Sequence, residues 1–289
     1  MSRLWRDEIR IALLPDRVAL ARVSRRRLRP QIIAKHVAHC SATAVPAGSV
    51  QGMPPGFTSW QPCVAAMQQM LQQPFARDAD ATVVISNHFV RYALVPWSEH
   101  LVRDDEKRAW IGHHFVALYG EPAAACEYRW SDDSPAAACV ASAADGGFIG
   151  AIRAAFELTS LRLRSVQPYL MAVFNRWKRH VKGNPVWLLV PETGCVCIAS
   201  AAGGQWRTIA TRNMGPDWQA ELPLLLEREL LLAEAVGTPT AILAYAPEMP
   251  ELHFPGWRGA PLRLLVPRAL PGWLPHADGE YSIALTGVA

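Results

Sequence analysis

Apolar positions in this chain fall into short runs that recur in a fixed order, and those runs predict its elements. Residues 9–14 and 18–23 are two strand-compatible runs separated by Pro15-Asp16-Arg17, the pattern of a hairpin. After the basic stretch Ser24-Arg25-Arg26-Arg27-Leu28-Arg29-Pro30, residues 31–40 read as a third strand and complete a meander. Residues 42–58, rich in Ala, Pro and Gly, read as a loop. Trp60, Val64, Met67, Met70 and Leu71 then recur at three- and four-residue steps and predict a helix packed on the meander. Residues 81–86 and 89–96 read as a second hairpin around Asn87-His88. Asp104-Asp105-Glu106 suits a helix start and Gly120 its stop. Ala109, Trp110, His113, Phe115, Val116 and Leu118 lie between them. Residues 126–130 and 136–143 form a further predicted hairpin, and Asp145 can cap a helix running through Phe148, Ile149, Ile152 and Phe156.

A short strand over residues 161–166 leads through Pro168 into a helix over residues 169–179, and there the pattern begins again. Val186 to Val190 is an apolar run, Pro191-Glu192-Thr193-Gly194 a turn, and Cys195 to Ala199 a second run. Gly203-Gly204 and a strand over residues 205–210 follow, then a helix over 218–236 and strands near 241–245, 262–266 and 281–285. The repeat of meander, helix and further strands, about 180 residues apart, is a weak internal duplication of layout. Strands mixed with covering helices make the fold class α/β, in two lobes over residues 1–180 and 181–289.

Composition narrows the function classes. With 51% hydrophobic and 19% charged residues, the 289-residue chain can bury a core and is too apolar for disorder. The formal net charge of +4 is too small to argue for nucleic acid as a partner. No apolar run reaches the roughly 18 residues that a membrane-spanning helix needs. The N-terminal residues do not form a signal-peptide pattern, so a cytoplasmic location is expected. Six cysteines without a C-x-x-C pair suggest buried, reduced thiols.

The layout, with the segment Val83-Val84-Ile85-Ser86-Asn87-His88-Phe89-Val90-Arg91-Tyr92-Ala93-Leu94-Val95-Pro96-Trp97 and the later Leu161-Arg162-Leu163-Arg164-Ser165-Val166-Gln167-Pro168-Tyr169-Leu170, resembles the actin-like PilM and GspL cytoplasmic modules. Those modules belong to type IV pilus and type II secretion machines. The likeness of element order runs from about Arg10 to Tyr245 and implies a two-lobed actin-like, ribonuclease H-like ATPase fold. In actin-like ATPases two acidic hairpin turns with small residues let backbone N–H groups approach the phosphates of a nucleotide held between the lobes. Here the first turn, Pro15-Asp16-Arg17-Val18, keeps the acid but carries bulky neighbours. The second, Pro191-Glu192-Thr193-Gly194, keeps acid, hydroxyl and glycine. The glycine pair that seats an adenosine in that fold has no counterpart in residues 241–248.

Asp16, Glu192, Thr193 and Gly194 are therefore remnants of a Mg-nucleotide site or ordinary turn residues, and the second reading is preferred. The resemblance implies a non-catalytic cytoplasmic adaptor without a cofactor, peripheral at the inner membrane. Its partner would be the cytoplasmic segment of a bitopic inner-membrane assembly protein, with self-association left open and no nucleic acid. The alternative is an ATP-binding switch that uses Mg-ATP to gate its partner. Arg25, Arg26, Arg27 and Arg29 form either a solvated hairpin tip or a patch facing anionic lipid. Cys195 and Cys197 share one strand face, and His36, His39 and Cys40 lie close in sequence, but neither set has metal-site spacing. His113 and His114 have no evident nucleophile partner, and no Walker A, G-x-S-x-G or H-E-x-x-H pattern occurs. Trp257, Trp273 and the Pro-rich residues 261–275 suit core filling or a groove for an extended peptide.

Overall fold

The computed structural model describes residues 6–25, 29–40, 59–96, 98, 103–131, 138–181, 183, 185–215, 217–232, 239–249, 252, 254 and 256–288. The chain forms two compact units, Met1–Val90 with Ala144–Ala172 and Pro267–Ala289, and Arg91–Ala143 with Val173–Val266. This is not the single cut after residue 180 suggested by the order of the elements. The last segment returns to the first unit, where Ile32 donates its N–H to the Pro271 carbonyl at 2.8 Å and Lys35 pairs with Asp278.

The meander forms as its pattern predicts: β1 (Glu8–Leu13), β2 (Arg17–Ser24) and β3 (Gln31–His39) are joined antiparallel. Two parallel strands, β4 (Asp80–Ile85) and β8 (Arg162–Pro168), complete a sheet of order β3-β2-β1-β4-β8. Ile9, Ile11, Leu13, Leu20, Val83 and Val84 are buried in it. Helices α1 (Gln61–Leu71) and α3 (Gly146–Glu157) complete this core through Met67, Phe148 and Ile152. The Asp145 carboxylate accepts the Phe148 N–H at 2.8 Å and caps α3, as its position before that apolar pattern predicts.

The second unit repeats this sheet. Strands β9 (Val186–Glu192), β10 (Cys195–Ala202) and β11 (Gln205–Asn213) form an antiparallel meander, and β12 (Ala241–Ala244) and β13 (Leu262–Leu264) add in parallel. The order β11-β10-β9-β12-β13 matches that of the first sheet strand for strand. The duplication read from layout is thus present in topology. Helix α5 (Trp218–Leu232) sets Trp218, Leu222 and Leu226 against Trp187, Val196 and Ile198. A smaller sheet in the same unit, order β5-β7-β6, joins β5 (Val90–Val95), β7 (Cys139–Asp145) and β6 (Cys126–Trp130). Helix α2 (Asp104–Tyr119) covers it with Ile111 and Phe115, while Trp110 and Leu118 are exposed.

Two expectations fail. The β4–β5 hairpin does not form, because β4 pairs with β1 and β8 whereas β5 pairs with β7. Between them Asn87–Phe89 makes one turn of 3-10 helix, with the Ser86 hydroxyl accepting the His88 N–H. Asn87 is fully buried, and its Oδ1 accepts the Leu170 N–H at 3.1 Å in the first turn of α4 (Tyr169–Val181). A side chain committed to a helix start 83 residues away cannot also sit at an exposed hairpin tip. Residues 281–285 are not a strand: Ser282–Leu285 is a short helix, α6, fully buried. A buried apolar run of that length has no periodicity to separate the two states.

Candidate functional site

The first acidic turn is short and internally bonded. Leu14 donates its N–H to the Arg17 carbonyl at 2.9 Å, and the Asp16 carbonyl accepts the Cys40 N–H at 2.7 Å. The exposed Asp16 carboxylate is held by the Arg17 guanidinium at 2.8 Å. A Mg-bound phosphate requires an acid free to hold the metal's water shell and a backbone that an anion can approach. At this turn the acid faces a cation of its own neighbour, and the Arg17 and Val18 side chains flank the backbone.

The second turn differs. Glu192 and Cys195 are paired across it, leaving Thr193 and Gly194 as a two-residue tip, both exposed. Gly194 has φ 86°, a left-handed conformation that side chains resist. Its carbonyl accepts the Met214 N–H at 2.9 Å. Glu192 is only 3% exposed, unlike the two tip residues. After β12, where an adenosine seat would be needed, the Tyr245 side chain is buried and its N–H donates to Leu189. Asp16 is thus ion-paired with its neighbour, Glu192 is buried, and residues 241–248 contain no glycine. Asp16 belongs to the first unit and Glu192, Thr193 and Gly194 to the second.

In the basic turn, Arg26 and Arg27 lie outside the described residues, and Arg29 is exposed. Arg25 is engaged, its guanidinium donating twice to Glu8 Oε2. Glu8 is buried on β1 and also accepts from Arg10 and from the Thr82 hydroxyl. Burial pushes the Glu8 carboxyl up, yet Arg10 and Arg25 outweigh it and hold it below the ordinary range. The sequence signal for this network is β1 itself: Glu8 and Arg10 stand two apart and share a sheet face, and Thr82 is paired with Arg10 on β4.

Four of the six thiols, Cys40, Cys63, Cys195 and Cys197, are buried, whereas Cys126 and Cys139 are half-buried. Burial pushes Cys63 up to about 12 and raises Cys195 and Cys197 further, far from a reactive thiolate. His36 stacks on Phe75 with ring centroids 3.6 Å apart, and His39 is exposed. Among the described residues no group of His, Cys, Asp and Glu could hold a metal ion. Trp257 packs on Trp187 in the second unit, whereas Trp273 is buried in the first and donates its indole N–H to Asp278. Both tryptophans fill cores, and the Pro-rich segment around Pro271 is docked along β3. No helix of the described residues is long and apolar enough to cross a membrane.

No protein-family model matches the sequence, and no curated protein does. Solved structures do resemble the fold. A PilM-PilN type IV pilus biogenesis complex aligns with TM-score 0.66 at 11% identity over 97% of both chains. The cytoplasmic domain of EpsL, an inner membrane component of the type II secretion system of Vibrio cholerae, aligns with TM-score 0.54 at 9% identity, covering 98% of this chain and 94% of that one. A Bacteroides thetaiotaomicron protein with an actin-like ATPase fold and unknown function aligns with TM-score 0.53 at 8% identity over 85% of both. With its duplicated five-stranded sheets, the chain has the actin-like fold, in the form shared by the PilM and EpsL structures.

Proposed function

We propose that this chain is a non-catalytic adaptor of a type IV pilus or type II secretion-like assembly, working at the cytoplasmic face of the inner membrane. Its ligand is the cytoplasmic segment of a bitopic inner-membrane protein, and its mechanism is binding without turnover. The observation that carries the reading is the end-to-end likeness to the PilM-PilN complex structure, covering 97% of both chains. The buried Glu192 and the Arg17-bound Asp16 support the absence of nucleotide chemistry. The exposed Thr193-Gly194 tip favours the alternative, an ATP-binding switch.

The test is fluorescence anisotropy with labelled peptides from the cytoplasmic tails of the single-span inner-membrane proteins encoded beside this chain. One tail is expected to bind saturably, with the same affinity with and without Mg-ATP. Absence of binding by every tail would contradict the adaptor reading, and an affinity that appears only with Mg-ATP would support the switch.

A further inference from the structure

From Leu158 to Pro191 the chain has no Asp or Glu, and four of its six Lys and Arg residues fall in Arg176-Trp177-Lys178-Arg179-His180-Val181-Lys182. Arg176, Lys178, Arg179 and Lys182 together carry four positive charges, equal to the formal net charge of +4 of the whole chain. Residues 176–181 of this run end α4, in the second unit. Val173 is buried, and the Phe174 ring lies 4.4 Å from that of Trp206 on β11. Arg176, Lys178, Arg179 and His180 are all exposed. The β10–β11 turn lies beside the helix end, since Gly203 donates its N–H to the Gly183 carbonyl at 3.1 Å, and Arg207 on β11 is exposed too. Among the described residues no carboxylate pairs with Lys178, Arg179 or Arg207.

A patch of this kind attracts anions through its field, because its cations are exposed side chains at a helix end and on a hairpin strand. An acidic peptide needs a groove to fix its register, whereas a bilayer surface presents many phosphates and needs none. Trp177 and Trp206, both half-buried on the flank, are amphipathic rings of the kind found at headgroup level. We infer that the end of α4 and the adjacent β10–β11 hairpin form a docking face for anionic phospholipid. The inference rests on charge and exposure and not on the peptide partner proposed above, so the two fail separately.

The experiment is co-sedimentation of the full chain with phosphatidylcholine vesicles, with and without about one third phosphatidylglycerol. Binding is expected only to the anionic vesicles and should weaken steeply as salt is raised. The triple variant Lys178→Gln, Arg179→Gln, Arg207→Gln should lose affinity on the order of 100-fold. Its thermal melt should be unchanged, since all three side chains are exposed. A parallel variant, Arg26→Gln, Arg27→Gln, Arg29→Gln, should bind as the unaltered chain does. Equal binding to neutral vesicles, full binding by the triple variant, or loss confined to the parallel variant would overturn the inference. So would binding to an acidic peptide or to RNA with none to vesicles.

Discussion

The Arg10 Nε donates to the Ala284 carbonyl at 2.9 Å, joining residues 274 positions apart. The same guanidinium reaches the Thr286 carbonyl and Glu8. Carbonyls at a helix end lack partners inside the helix, and here a buried strand residue supplies them. The carboxylate of Glu8 offsets the cost of burying that cation.

Replacing Arg10 should therefore do more than remove one contact. Arg10→Leu leaves Glu8 with one cation fewer and strands two carbonyls, and should cost about 3–5 kcal/mol in urea unfolding. Arg29→Gln, on an exposed side chain, should stay within about 0.5 kcal/mol. A loss below about 1 kcal/mol for Arg10→Leu would show that water takes over those carbonyls.

The pH dependence of Glu8 follows from its surroundings. Burial alone raises its pKa, but Arg10 and Arg25 bring the balance below the ordinary 4.5. A depressed folded-state pKa gives stability that is complete above the unfolded pKa and is lost as pH falls through the folded one. Arg25→Gln removes one of the lowering charges and brings the folded pKa toward the unfolded one, so its acid loss should start at the same pH, be smaller and level off at a higher pH than that of the unaltered chain. Urea midpoints measured from pH 7 down to about 3 test this. Coincident acid limbs would place Arg25 outside the network.

On the second sheet, Arg212 donates to Glu229 at 2.7 Å, and Glu229 is 4% exposed on α5. Arg212→Leu alone leaves a buried carboxylate uncompensated and should cost about 3–5 kcal/mol. The double variant Arg212→Leu, Glu229→Leu should recover most of it, since neither charge then remains. The double-variant cycle reads the coupling directly. Simple additivity would mean that Glu229 is satisfied elsewhere.

The meanders were legible because each strand reads as an apolar run between turn residues, and Gly203-Gly204 marks its own hairpin with φ 60° and 77°. The duplication was legible as order, although nothing in residue identity carries it. What escaped was non-local. Asn87 looks like a turn residue until Leu170 is beside it, and Ser282–Leu285 looks like a strand until α6 is seen packed near β1. Glu8 and Arg10 read as polar positions of a strand, and their burial appears only when β2, β4 and the last segment close over them. Gly272 shows the same limit: with φ 85°, a Cβ there would sit 2.1 Å from the Ile32 carbonyl oxygen. Of the two acidic turns, the sequence displayed the residue types, but not that Glu192 is buried or that Arg17 holds Asp16.

Thermal unfolding of the intact chain in a Mg-ATP titration bears most directly on function by binding alone. A ligand at 100 times its dissociation constant stabilises a fold by about 2.7 kcal/mol, a shift of several degrees. The melting temperature should not move at millimolar Mg-ATP. A saturable rise, abolished by Gly194→Val, would contradict the adaptor reading and place a nucleotide at the Thr193-Gly194 turn.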